Sequence, residues 1–195
     1  GELGSINDIT PNQHSTIYAM DRFATIKKEK IIDKLIDGTW FVMDRYILSN
    51  IIYTLAKLDY SNDQLLQISD FTKVPRDIKF LINNVLDLEY SLGIPAPNIN
   101  FILNLSSEFS DKLRNDRKNK IDNSNSKDIH ESNEEYLKKV NSMINIIQKF
   151  DFMHYGLDNN QFKNISIKCD NGKEILSKEE IHKMIIRKLI ENGVK

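Results

Sequence analysis

The ten residues "FVMDRYILSN", 41 to 50, carry the densest chemistry in the chain. A short apolar run, Phe41-Val42-Met43, gives way to Asp44-Arg45-Tyr46. A carboxylate at such a point can hold a Mg²⁺ ion or one of its waters, and a guanidinium can fork onto phosphate oxygens. The structural alternative is an Asp helix cap beside a surface Arg. Just beyond, Ser49 and Tyr53 are four apart and Asn50 and Tyr53 three apart, so all three project close together from a helix. They add a hydroxyl, an amide and a ring to the Asp-Arg pair, although each alone fits an ordinary packed helix. Upstream, Tyr18 and Arg22 are also four apart. A ring with a guanidinium one turn on can stack on a base and hydrogen-bond its edge. The alternative there is a core-packed Tyr with a solvent-exposed Arg.

Two further clusters follow. "KLRNDRKNK", 112 to 120, holds five basic residues and one acidic, among them Arg114 and Arg117. Basic groups on a loop suit charge spread over phosphoryl oxygens, and a solvated charge run is the plain alternative. "DIHE" places Asp128 and Glu131 three apart before a helix start, where capping also explains acids. The four His, at 14, 130, 154 and 182, are scattered and form no metal-ligand spacing.

These residues need elements to position them. Helical spacing of Ile17, Met20 or Ala24, Ile31 and Leu35 predicts a helix from Ser15 towards Gly38. Residues 39 to 43 read as a buried strand, and ligands in an open α/β sheet bind beyond such strand ends. Helices are expected over 47 to 58 and 77 to 92, the latter stopping before Gly93. Between them, 60 to 75 reads as a connection with short helical pieces. "INFILNL", 99 to 105, predicts a second strand covered on both faces. A short helix over 107 to 114 and a polar stretch over 115 to 130, a candidate lid, come next. Ser132 with Glu135 predicts a helix start and Ser177 with Glu180 another, with "NISIK" a third strand between. Strands alternating with helices imply a mostly parallel α/β sheet in one domain over residues 1 to 195.

Composition bounds the rest. At 195 residues and 40% apolar content the chain can bury a sizeable core. Net charge is −1, from 27 basic and 28 acidic residues, so no nucleic-acid partner is expected. Cys169 is the single cysteine, which excludes an internal disulfide. No apolar run reaches the length of a membrane span, and the N-terminus has no signal-peptide core.

Taken in order, "DRYILSNIIYTLAK", "LGIPAPNINFILNL", "SSE", the basic stretch and "DIHESNEEYLKKV" resemble thymidylate kinase, over roughly residues 14 to 150. The resemblance implies a P-loop NTPase fold of the nucleoside monophosphate kinase type, a three-layer parallel sheet flanked by helices. It implies transfer of the γ-phosphoryl group of ATP to dTMP, with Mg²⁺, in a cytoplasmic homodimer. Arg45 would contact the dTMP phosphate and Asp44 would sit by the metal. Tyr18 would stack on thymine, Arg22 and Asn50 would lie at the base, and Ser49 would belong to the same signature. Tyr53 would pack under the deoxyribose, and Asp128 and Glu131 would close the nucleoside side. Arg114 and Arg117 would be the ATP-side or lid residues, with Arg117 a candidate for supporting transfer. One departure stands out. No G-x-x-x-x-G-K-[ST] phosphate loop occurs in these residues, and Gly172-Lys173 is followed by Glu174. Catalysis is therefore expected only if such a loop lies upstream of Gly1. Otherwise the expectation is a kinase-like protein that binds nucleotide or a partner without turnover.

Overall fold

The computed structural model describes residues 8–69, 71–120, 134–150 and 163–194. The chain falls into two compact units, one of residues 1 to 96 with 128 to 159, the other of 97 to 127 with 160 to 195.

The first unit is helical among its described residues. Helix α1 (Pro11–Lys28) starts on a Thr10 cap whose hydroxyl accepts from the Gln13 amide, while Gln13 reaches back to the Thr10 amide. Pro11 at its first position lacks only an amide proton that the helix would not use. The expected single helix to Gly38 is instead two. Lys30 adopts the left-handed conformation (φ 51°) and separates α1 from the short α2 (Ile31–Ile36). Gly38, at φ 84°, then closes α2 with a double turn: its amide bonds Leu35 and that of Thr39 bonds Lys34.

Helix α3 (Ile47–Leu55) is the hub. Seven of its nine residues are buried, and it packs on α1, on α5 (Arg76–Ser91) and on α7 (Glu134–Phe150). The connection between α3 and α5 holds α4 (Asn62–Leu66), which packs on α7, and a 3₁₀ turn, Phe71–Lys73. Helix α5 ends as α2 does. Gly93 stands at φ 75°, its amide bonds Tyr90, and the amide of buried Ile94 bonds the carbonyl of Glu89.

Residues 39 to 43 overturn the first strand expectation. They have no ladder partner among the described residues, and Trp40 and Val42 are 70% and 100% exposed. Apolar composition favours a strand only where a neighbouring strand takes its amides and carbonyls, and among the described residues none does.

The second unit holds the sheet. Strands β1 (Ile99–Asn104) and β2 (Lys163–Lys168) pair in parallel, Ile99 opposite Lys163 and Asn104 opposite Lys168. Double coverage of β1 is not seen: Ile102 is its one buried residue and Leu103 is 56% exposed. Helix α6 (Ser107–Lys120) extends six residues further than its apolar pattern predicts, through the basic run. Beyond β2, the carboxylate of buried Asp170 accepts the amides of Ser106 and Gly172, tying the ends of β1 and β2 together. Helix α8 (Lys178–Glu191) starts at the expected Ser177–Glu180 capping box and packs on β2. No helix among the described residues is long and apolar enough to cross a membrane.

Candidate functional site

The first unit gathers most of the residues singled out by sequence around the start of α3. The turn before α3 puts Arg45 in the left-handed region at φ 64°, a conformation that disfavours a residue with a Cβ. Its exposed guanidinium lies 5.5 Å from the ring centre of Tyr53, two turns along α3. No side chain among the described residues caps α3, and its first turn holds no acid. The free amides of that turn and the positive end of the helix therefore stand next to the Arg45 cation, a setting that favours an anion.

Behind this corner lies a buried polar chain. Glu89 sits at a core position of α5 in register with Ile78, Ile82 and Val85, and is fully buried. Its carboxylate takes a two-pronged bond from Arg22, Nε to Oε2 at 3.0 Å and Nη2 to Oε1 at 2.6 Å. Asn50 adds a third donor, with Nδ2 2.8 Å from Oε1 and 3.1 Å from the Ser15 carbonyl. Thr54 donates its hydroxyl proton to Asn50 Oδ1 at 3.2 Å, so it must accept from His14, whose Nδ1 is 2.9 Å away. That fixes the proton of the buried His14 ring on Nδ1. The bonds thus run one way, from His14 through Thr54 and Asn50 into Glu89.

Aromatic rings flank these residues, exposed at Tyr18 and buried at Tyr136. Tyr18 is 41% exposed, and its ring centre is 4.7 Å from that of His14. Tyr136 of α7 donates its hydroxyl to the Tyr53 carbonyl at 2.7 Å, with the two ring centres 6.2 Å apart. Burial raises the Tyr136 phenol, with smaller contributions from Tyr53 and Tyr18. Tyr46 donates to the Pro95 carbonyl at 2.9 Å and carries the Arg22 guanidinium 5.3 Å above its ring centre. Burial pushes the Tyr46 phenol up to about 12, with Arg22 opposing and Glu89 adding to the shift. Both phenols stay protonated at neutral pH and act as donors.

The sequence alternatives for Tyr18 and Arg22 come out reversed. The ring is exposed, and the Arg side chain, 12% exposed, is the buried partner. Asn50 is 4% exposed, both its amide protons are committed and its Oδ1 accepts from Thr54, so its side chain belongs to the buried chain of bonds. Ser49 is half-buried on α3, and Asp44 is exposed in the turn. No group of three or more His, Cys, Asp or Glu among the described residues could hold a metal ion. Asp44 is a lone carboxylate, which suits Mg²⁺ only as a ligand shared with waters and phosphate oxygens. Arg114 and Arg117 lie on α6 in the second unit, and their side chains fall outside the described residues. Asp128 and Glu131 lie outside the described residues altogether.

Sequence reasoning missed Glu89, His14, Thr54 and Tyr136. Glu89 was the most findable, since a carboxylate in register with Ile78, Ile82 and Val85 must face the core and must meet a cation there. Comparisons with protein-family models, curated proteins and solved structures give no match.

Proposed function

We propose that the chain is thymidylate kinase-like, and that the corner between α1 and α3 binds dTMP for transfer of the γ-phosphoryl group of ATP. The observation that supports this reading is the pairing of two differently set arginines among rings. Arg45 is exposed at the uncapped end of α3, while Arg22 is neutralised by Glu89 beside Tyr46. Arg45 and the first-turn amides of α3 would take the phosphate. Tyr18 would stack on the base, with Arg22 at its edge, and Tyr53 would lie under the sugar. Mg²⁺ near Asp44 would neutralise phosphate charge, and Arg114 and Arg117 would serve the ATP side. Residues Asp128 and Glu131 would close the nucleoside side. The fold this implies is a three-layer parallel sheet to which β1 and β2 would belong, in a cytoplasmic homodimer.

A second reading is favoured by the lack of a phosphate-loop motif in these 195 residues. In it, the chain binds nucleotide or a partner subunit without turnover. The kinase reading requires a phosphate loop upstream of Gly1, so calorimetry with dTMP, followed by a coupled ADP-release assay with ATP and Mg²⁺ on the protein with its full native N-terminus, separates the two. Binding with turnover supports the kinase, and binding without turnover supports the second reading. Absence of any dTMP binding refutes both. Replacing Tyr53 with Ala is expected to bring the affinities for dTMP and its ribonucleotide counterpart closer together. An unchanged ratio removes Tyr53 from sugar discrimination.

A further inference from the structure

We propose that Asn171 is a guarded deamidation site, in which the Asp170 carboxylate, anchored on the end of β1, keeps the Gly172 amide from attacking the Asn171 side chain. The site lies in the second unit, on the turn after β2, and is independent of the nucleotide-binding reading above. The chemistry comes from the residue pair. Asparagine followed by glycine occurs twice in the chain, at 171–172 and at 192–193. Glycine has no Cβ, so its amide nitrogen closes on the preceding side chain with the least steric hindrance. In that step the glycine nitrogen forms a bond to the asparagine Cγ and gives its proton to water. The Cγ–Nδ2 bond then breaks, and the nitrogen takes up a proton and leaves as ammonia. A five-membered cyclic imide remains. Water opens it at either carbonyl, giving aspartate or isoaspartate, with no oxidation or reduction.

At Asn171 both reacting groups are held out of use. The Gly172 amide donates to Asp170 Oδ1 at 3.0 Å. Asn171 Oδ1 accepts the amides of Lys173 and Glu174, each at 2.9 Å. The turn is closed by the Asn171 amide on the Glu174 carbonyl at 3.1 Å and by the Leu176 amide on the Cys169 carbonyl at 2.9 Å. Ring closure needs the Gly172 amide to leave the carboxylate and the Asn171 side chain to swing off both its donors. Asn171 stands exposed, so water reaches it, and hydrogen bonding rather than burial protects it. The guard is strong because it is anchored elsewhere. Asp170 is buried, and its other oxygen accepts the Ser106 amide, from just beyond β1, at 2.9 Å. Hydrogen bonds to a charged acceptor are roughly twice as strong as neutral ones. The guard therefore holds while the ends of β1 and β2 stay together, and ageing of Asn171 records their separation. Asn192 has a local guard only. Its Nδ2 donates to the Lys188 carbonyl at 2.8 Å, and the Gly193 amide to the Ile190 carbonyl at 3.0 Å. Both acceptors are neutral and sit in the last turn of α8, so fraying of one helix end opens both bonds.

The test is incubation of the 195-residue chain at mildly alkaline pH, with peptide mapping by mass spectrometry to follow aspartate and isoaspartate at positions 171 and 192. The quantity read is the ratio of the Asn171 rate to the Asn192 rate, which cancels differences of buffer and temperature. In wild type Asn192 is expected to react faster. Asp170→Ala, checked for folding by circular dichroism, is expected to raise the ratio about tenfold or more, the order set by loss of one hydrogen bond to a charged group. Ile167→Val, which loosens β2 from its 1% exposed core position without touching the turn, is expected to leave the ratio near wild type. If Asp170→Ala does not fold, Asp170→Asn keeps an acceptor for one of the two amides and is expected to shift the ratio the same way by a smaller factor. Wild type alone supplies a further check: Asn171 in the folded chain is expected to react about tenfold or more slowly than in a free peptide of residues 168–176. A folded Asp170 variant whose ratio stays level or falls, a rise no larger than that of Ile167→Val, or a folded wild type as fast at Asn171 as the peptide overturns the inference.

Discussion

Replacing Arg45 by Gly and by Ala separates the backbone strain at the candidate site from its chemistry. Arg45 holds φ at 64° with its guanidinium 5.5 Å from the Tyr53 ring centre. The left-handed conformation costs an L-residue about 1–2 kcal/mol. The exposed cation–ring contact returns about 0.5–1 kcal/mol. Alanine keeps the strain and loses the contact, so Arg45→Ala is expected to destabilise the chain by about 0.5–1 kcal/mol. Glycine loses the same contact and is relieved of the strain, but it gives up about 0.5–1 kcal/mol more entropy on folding. Arg45→Gly should therefore be more stable than Arg45→Ala by about 1 kcal/mol, the strain less the entropy. For a chain of this size that difference is roughly 2–4 °C in Tm. Urea titration followed by circular dichroism measures the gap directly. An Ala variant as stable as the Gly variant refutes the strain. Binding must behave differently from stability, because both variants lack the guanidinium. Each is expected to lose well over tenfold in dTMP affinity, and near wild-type binding by either removes Arg45 from the phosphate role.

Ile51, 1% exposed at the centre of α3, anchors the packing against the neighbouring helices. Ile51→Ala is expected to cost about 2–5 kcal/mol in the same urea assay, and a loss below about 1 kcal/mol contradicts the hub role of α3. In the second unit, the backbone amide of Ser106 is the main cause holding the Asp170 carboxyl below its usual value of 3.8. A depressed folded pKa means that the unfolded chain takes up the proton first. The stability from Asp170 is then fully present above pH 3.8 and lost as pH falls through the lower folded value. Asp170→Asn should lose stability at pH 7 and flatten the acid limb of an unfolding curve between neutral pH and pH 2. An acid limb identical to wild type refutes the assignment.

The helices were legible because their signals are local. The Ser177–Glu180 box, Gly93 after α5 and the apolar spacing of α5 each act within a few residues, and the structure keeps all three. The run 39 to 43 was misread because strand formation depends on a partner elsewhere in the chain, which a local apolar pattern does not supply. The extension of α6 was missed because its polar residues carry helix propensity without apolar spacing. At the candidate site, Arg45, Asn50 and Tyr53 were visible from residue type and offset. The reversal of Tyr18 and Arg22 was not, because it depends on Glu89, which lies 67 residues from Arg22 in sequence. A buried charge shows itself only when its counter-ion is recognised as facing the same core.

The bare run at 39 to 43 has a practical side. Trp40 is the only tryptophan in the chain, and it stands 70% exposed four residues before Asp44. The whole indole emission of the protein thus comes from one ring in water, beside the candidate site. Anything that settles on that segment, whether a strand, a second chain or a surfactant, will shift the emission to the blue and shield it from iodide. The protein carries its own optical reporter on this exposed apolar segment.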